Sequence, residues 1–284
     1  MVELEFWIGK EKRWSRMMSR TSHYLGNHRS LVVTERGDRM YVDTRDIMIT
    51  PGILCWGSWE PETTNTLERI LRPGMSWADV GANIGYFTII GHRLVREGGG
   101  KTFAFEANPA TFDILADNVR LNWFFDHVEC EQQAAYFEKT KLKFGAPRKY
   151  AVNASISEAN SGDWKRVNDE VDTFEVQAIS LDEYFADTHL DFIKIDVEGA
   201  ESYVLRGARK LATRNQDIKI LIEWSPGQML RCKTNPQELV DLIEEFGFHV
   251  WLAESERRRI TTQELLGVKS TTMLLLSRDA NFVF

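Results

Sequence analysis

Four short apolar runs in this 284-residue chain carry a carboxylate at their ends. The runs are Ser76–Val80, Thr102–Phe105, Phe192–Ile195 and Ile218–Ile222, and the carboxylates are Asp79, Glu106, Asp196 and Glu223. A fifth run, Val128–Ala134, ends on the small pair Ala134 and Ala135. If the runs are strands of an open α/β sheet, ligands bind beyond their carboxyl ends. A carboxylate placed there can accept hydroxyls, pair with a cation, take a proton from a weak nucleophile, or hold Mg²⁺. A sheet held by packing alone has no use for four of them.

The turn after the first run reads Asp79-Val80-Gly81-Ala82-Asn83-Ile84-Gly85. Gly81 permits a sharp strand-to-helix turn and a close backbone approach to a ligand, and Gly85 lets the next helix pack tightly. Glu106, ending the second run, is placed to accept both ribose hydroxyls of an adenosine. A dinucleotide needs G-x-G-x-x-G so that a helix amino terminus can hold pyrophosphate. Here Asn83 takes the middle glycine position and Asp79 stands beside it, repelling phosphate. S-adenosylmethionine, with a sulfonium, an ammonium and no phosphate, fits this turn better than NAD.

These residues need a scaffold, and the rest of the chain reads as one. Leu31–Thr34 and Met40–Val42 flank a hairpin turn, and a helix covers 60–72. Further helices run through Phe87, Ile90 and Leu94, over 109–121, over 200–211 and after Asn235-Pro236. Residues 136–178 read as an antiparallel excursion, with short strands at Leu142–Phe144, Ala151-Val152 and Phe174–Val176 and a polar loop over 158–172. His249–Leu252 and Thr272–Leu276 are the closing strands. Near-continuous apolar strands alternating with helices predict a mostly parallel, doubly wound α/β sheet with a terminal antiparallel strand. Residues 1–58 form an N-terminal helix and β-hairpin extension in this reading, and 59–284 the main domain.

Asp79-Val-Gly-Ala-Asn-Ile-Gly-Tyr-Phe-Thr88, Phe105-Glu106-Ala-Asn-Pro109, Ser180-Leu-Asp182 and Ile193-Lys-Ile-Asp-Val-Glu-Gly-Ala-Glu201 resemble the FkbM family of class I methyltransferases. Trp59-Glu60-Pro61-Glu62 fits the same pattern. The resemblance covers roughly residues 50–225 and implies a Rossmann-like fold and O-methylation of a hydroxyl on a sugar, glycan or related natural product. It implies that Glu60, Asp79, Gly81, Asn83, Gly85, Thr88, Glu106, Ala134 and Ala135 hold S-adenosylmethionine, and that Asp196 and Glu198 sit where the acceptor enters.

A hydroxyl is a poor nucleophile, so a base or a metal must help remove its proton. Asp196, Glu198 and Glu223 are the catalytic candidates, either as base or as ligands of Mg²⁺, with the base favoured. Glu201 reads as a helix-start charge, Asp182 as a cap for a helix beginning at Glu183, and Lys194 as a partner for a neighbouring carboxylate. The six histidines show no metal spacing, and His249 alone has a claim as a base. Trp56, Trp59, Trp224 and Trp251 are candidates to stack on a sugar.

The net charge of −7 gives no case for nucleic acid as partner. Residues 1–30 mix Phe6, Trp7 and Trp14 with Lys10, Lys12, Arg13 and Arg16. They predict a helix packed on the domain with a basic outer face, membrane-surface contact being the alternative. Three scattered cysteines and no apolar run near ~20 residues predict a cytoplasmic protein, peripheral to a membrane if that alternative holds. An NAD-dependent oxidoreductase and a non-catalytic module on the same fold are the rival readings, and the oligomeric state stays open.

Overall fold

The computed structural model describes residues 21–147, 155–156, 171–253 and 257–283. Three strands open it, β1 (Ser22–Gly26), β2 (Arg29–Val33) and β3 (Arg39–Asp43), paired antiparallel in that order. Two helices follow, α1 (Ile49–Trp56) and α2 (Pro61–Ile70). Strand and helix then alternate through β4 (Trp77–Val80), α3 (Tyr86–Val95), β5 (Thr102–Phe105), α4 (Pro109–Leu121) and β6 (Val128–Glu131). A second sheet is built from β7 (Ala134–Tyr136), β8 (Thr140–Pro147), β9 (Ser155–Ile156) and β10 (Val171–Ser180), in the order β7-β10-β8-β9.

After α5 (Leu181–Tyr184) the alternation resumes with β11 (Phe192–Ile195), α6 (Glu201–Arg206), α7 (Arg209–Arg214), β12 (Lys219–Trp224), α8 (Pro226–Arg231), α9 (Pro236–Glu245) and β13 (His249–Leu252). The chain closes through β14 (Arg259–Ile260), α10 (Thr262–Gly267) and β15 (Thr272–Ser277).

The central sheet has the order β14-β13-β15-β12-β11-β4-β5-β6. From β12 to β6 all neighbours are parallel, and β15 inserts antiparallel between β12 and β13. The chain leaves β4 for β5 on one side and comes back to β11 on the other, so the switch point lies between β4 and β11. Every residue of β4, β5 and β11 is buried, because helices cover both faces. Ala78, Val80, Ile193 and Ile195 pack on one face with Leu205, Leu211 and Ile243. Trp77 and Phe192 pack on the other with Ile89 and Leu115, and Val32, Met40 and Val42 of the N-terminal sheet join that second core.

The doubly wound sheet and its antiparallel strand follow the sequence reading, and several element bounds do not. Residues 22–26 and 29–30 are strand rather than part of a helix, while the helix expected over the first 20 residues lies outside the described ones. The expected strand Val128–Ala134 splits in two, since the chain crosses from the central sheet to the second sheet between Glu131 and Ala134. Within the expected loop 158–172, Val171 and Asp172 belong to β10; the remainder, and Ala151-Val152, lie outside the described residues. Helices α1, α8 and α10 were not expected; Pro51 within α1 sits in the first turn, where its missing N–H costs nothing. Among the described residues no helix is long and apolar enough to cross a membrane.

The expected helix 200–211 breaks into α6 and α7 around Gly207 and Ala208. A Cβ on Gly207 would stand 2.0 Å from the Tyr136 carbonyl oxygen, so this junction is pressed against β7. Helix propensity alone favours alanine there by ~1 kcal/mol. The contact reverses that sign, because overpacking against backbone costs about 1–3 kcal/mol. Gly207→Ala should therefore lower the melting temperature, at about 2–4 °C per kcal/mol for a domain of this size. A thermal melt showing the variant equal to or above the wild type would refute the contact.

Candidate active site

A cavity of about 270 Å³ opens at the carboxyl ends of β4, β5, β11 and β12. Its lining includes Glu60, Gly81, Asn83, Glu106, Ala134, Ala135, Asp196, Glu198 and Glu223, all singled out from the sequence. Asp79, Gly85 and Thr88 do not line it. Asp79 and Thr88 are buried and tied to Lys194, which does line it, and Gly85 packs against Leu115 of α4.

Asp79 and Lys194 face each other across β4 and β11. Both are fully buried, with Lys194 Nζ 3.7 Å from Asp79 Oδ1 and donating to Asp196 Oδ2 at 3.1 Å. The Thr88 hydroxyl donates to Asp79 Oδ2 at 2.6 Å, tying α3 to the same pair. Burial alone would push the Lys194 ammonium down, but Asp196, Asp79 and Glu60 outweigh it and hold it above its ordinary value. Burial pushes the Asp79 carboxyl up, with Lys194 and Thr88 opposing. Lys194 also lines the cavity, and its ammonium lies 5.0 Å from the centre of the Phe87 ring.

The turn between β4 and α3 is fixed by two glycines and one carboxylate. At Gly81 φ is +82°, and a Cβ would meet the Asp196 carbonyl oxygen at 1.8 Å. The close approach Gly81 permits is therefore to the loop after β11. Gly85, at φ +87°, lets the Leu115 side chain of α4 come within 2.6 Å of where a Cβ would stand. Glu106 accepts from the Asn83 N–H at 2.8 Å and the Asn108 N–H at 2.7 Å. Burial pushes its carboxyl up to about 7.

The loop after β11 has the same kind of brace. Glu201 does not line the cavity; its Oε1 accepts from the Val197 and Gly199 N–H groups, each at 3.1 Å. Burial lifts its carboxyl to about 7. Glu198 takes the left-handed conformation at φ 59° and accepts from Gln228 Nε2 at 2.5 Å. Burial, then Asp196 and Glu201, push the Glu198 carboxyl well up. Glu223 is 8% exposed, its Oε2 has no hydrogen-bond partner, and burial with Asp196, Glu201, Glu198 and Glu60 pushes it up to about 11.

Other assignments shift. Asp182 accepts from the Leu211 N–H in the first turn of α7, and Ser180 caps α5 instead. His249 pairs with Arg259 and lies away from the cavity, which removes it as a base. Of the four tryptophans only Trp59 lines the cavity; Trp224 and Trp251 are core, and Trp56 is partly exposed elsewhere. Among the described residues no group of three or more His, Cys, Asp or Glu side chains is arranged to hold a metal ion. Asp196 is turned to Lys194 and Glu198 to Gln228, so this donor set does not fit Mg²⁺.

Sequence reasoning missed the walls. Met48 and Ile49 come from the start of α1, Gln228 from α8, and Tyr136, Leu142 and Phe144 from the second sheet. Ser225-Pro226 straight after a strand was the available signal for α8 and so for Gln228.

The sheet order and the switch-point cavity define a class I methyltransferase fold. The methyltransferase FkbM domain is matched over residues 79–250. The chain belongs to the FkbM methyltransferase family, and its activity class is methyl transfer. Methyltransferase sdnD of Sordaria araneosa is 29% identical over 201 residues, covering 61% of this chain and 73% of that one. The crystal structure of methyltransferase FkbM from Methylobacillus flagellatus KT is similar with a TM-score of 0.45 at 15% identity, covering 81% of this chain. This chain spans about half of that one, 52%. A SAM-dependent O-methyltransferase structure from Thermotoga maritima gives a TM-score of 0.45 at 13% identity, covering 89% of this chain and 79% of that one.

The raised carboxyls make stability depend on pH. Glu106, Glu201 and Glu223 bind protons more tightly folded than unfolded, so stability present below their ordinary values near 4.5 is lost as pH rises. The loss runs from about 4.5 to about 7 for Glu106 and Glu201, and on toward 11 for Glu223. Glu223→Gln should raise the melting temperature at pH 8 and flatten its fall between pH 7 and 9. Melts across that range check it; a variant less stable than wild type at pH 8 would contradict the assignment.

Proposed function

We propose that the cavity binds S-adenosylmethionine and that the chain moves its methyl group to a hydroxyl of a sugar, glycan or related natural product. The observation that supports this most is the lining itself. Glu60, Glu106, Asp196, Glu198 and Glu223 surround one cavity in which Lys194 is the one cationic side chain among the described lining residues. Such a site suits a cationic ligand without phosphate and disfavours a dinucleotide.

Glu106 would take the ribose hydroxyls, since each of its oxygens keeps a lone pair beyond the bonds from Asn83 and Asn108. Glu60, turning inward at the start of α2, would face the methionine end, and Ala134 and Ala135 leave room beside β7. Bound there, S-adenosylmethionine supplies a methyl carbon activated by its sulfonium. The chain's own part is to hold the acceptor oxygen in line and remove its proton. Asp196 is the proton acceptor in this reading, oriented at the cavity edge by Lys194. Burial pushes Glu198 and Glu223 up, so both hold protons while this side of the cavity is empty. Trp59 offers an apolar face to a sugar ring. Free cysteines at 55, 130 and 232 fit a reducing compartment, and the cytoplasm is the proposed location.

Calorimetric titration with S-adenosylhomocysteine, with NADH as control, tests the cofactor. Glu106→Ala should weaken that binding at least tenfold, since a charged hydrogen-bond acceptor contributes about 1.5–3 kcal/mol. Unchanged affinity in a folded variant would remove the ribose assignment. Asp196→Asn should keep cofactor binding and lose turnover by about 10²–10⁴-fold, the usual contribution of a positioned base. Methyl transfer at the wild-type rate would take Asp196 out of the mechanism.

A further inference from the structure

Glu106 and Glu223 end strands separated by β4 and β11. Three steps of about 4.8 Å put the two ends about 14 Å apart. A ligand whose ribose rests on Glu106 fills one side of the cavity and leaves the β12 side to the second substrate.

That side is built from Glu223, Glu198 and Gln228. Glu223 is more than nine-tenths buried, and its Oε2 has no hydrogen-bond partner. Gln228 gives its Nε2 to Glu198 and keeps Oε1 buried, also without a partner. Around Glu223 the charged and titratable neighbours are Asp196, Glu198, Glu201 and Glu60, carboxylates from β11's loop, α6 and the start of α2. Arg231 is the opposing charge that acts on Glu198, and Lys194 is engaged by Asp79 and Asp196. Two side chains that line the β12 side of the cavity thus carry buried acceptor oxygens without a hydrogen-bond partner, while Lys194, the one cationic side chain among the described lining residues, is already paired. A buried polar group left unpaired is costly and persists where a ligand completes it.

We propose that Glu198, Glu223 and Gln228 recognise the acceptor, and that the acceptor carries a protonated amine near its reacting hydroxyl, as an amino sugar or amino alcohol does. The inference rests on the methyl-transfer reading above. A hydroxyl brings one donor and no charge. An ammonium brings three donors, one for each of the three side chains, and a charge that acts on every carboxylate around Glu223. Burial makes the empty carboxyls take up protons, so an arriving ammonium displaces them and the affinity rises with pH until the amine itself loses its proton. The same chemistry is present in the cofactor's own ammonium, and the two sources separate when the cofactor site is already filled.

The test is calorimetry on the full chain saturated with S-adenosylhomocysteine, titrated at pH 8 with ethanolamine, ethylene glycol or glycolate. Ethanolamine should bind at least tenfold more tightly than ethylene glycol, and glycolate should not bind. Proton release should appear as a binding heat that changes with the buffer's ionisation enthalpy. Glu223→Gln should erase the preference for ethanolamine; because this variant is expected to be the more stable protein, misfolding does not imitate the result. Equal binding of ethylene glycol, or no binding of ethanolamine, would overturn the proposal. Displacement of S-adenosylhomocysteine by ethanolamine would also overturn it, by giving these carboxylates to the cofactor's ammonium. Failure of S-adenosylhomocysteine to bind would count against the cofactor reading alone, and ethanolamine titrated into the unliganded chain would then decide the amine site.

Discussion

A lysine and an aspartate buried opposite one another at the switch point set the position of nearly everything else in this cavity. Lys194 and Asp79 are register partners on adjacent parallel strands, and neither has access to water. Removing two charges from water costs several kcal/mol per ion, so the pair survives only with further partners. Thr88 supplies one from α3 and Asp196 another from the end of β11. The result is a polar stitch through the middle of an apolar sheet. It locks the first turn of α3, the centre of the sheet and Asp196 into one unit. Its worth is in registration rather than in net stability, since a well-packed apolar pair in the same place could be as stable.

Around that stitch the two loops bordering the cavity are each braced by a carboxylate. Glu106 holds the Asn83 N–H in the loop after β4, where Asn83 takes φ 52°. Glu201 holds the Val197 and Gly199 N–H groups in the loop after β11, where Glu198 takes φ 59°. Left-handed conformations at non-glycine residues are unfavourable, and an acceptor side chain aimed at nearby N–H groups offsets that. Gly81 then brings the two loops into contact through the Asp196 carbonyl. The two loops are therefore one mechanical body, which under the proposed reading suits a reaction that depends on holding three atoms in line.

Much of this was legible in the sequence because it is local. Strand ends, the Gly81 and Gly85 turn, and the helix over 109–121 all depend on residues within one or two turns of each other. The carboxylates at strand ends were found for the same reason. What escaped was tertiary. Asp79 and Thr88 looked like ligand contacts, yet burial on the Lys194 face turned them into supports, and only the register of β4 against β11 reveals that. Tyr136 and Phe144 enter the cavity because the second sheet folds over it, a pairing of segments that share no local signal. Trp224 and Trp251 read as cleft residues from their place beside strand ends, and packing claimed both.

The remaining tension in the structure is electrostatic, and it separates the carboxylates into two groups. Asp79, Glu106 and Glu201 each accept from an N–H or hydroxyl donor of the chain itself through at least one oxygen, although Asp79 Oδ1 and Glu201 Oε2 are buried without a hydrogen-bond partner. Glu223, as buried as Glu106, also leaves Oε2 without a partner, and unlike Asp79 and Glu201 it lines the cavity. A fold selected for stability would replace such a residue with glutamine or leucine, because burying an unpaired acid costs more than it returns. Its survival beside Glu198 places the cost at the β12 side of the cavity, away from Glu106. That asymmetry, rather than the total charge, distinguishes the β12 end of the cavity from the β5 end, where Glu106 is held by the Asn83 and Asn108 N–H groups.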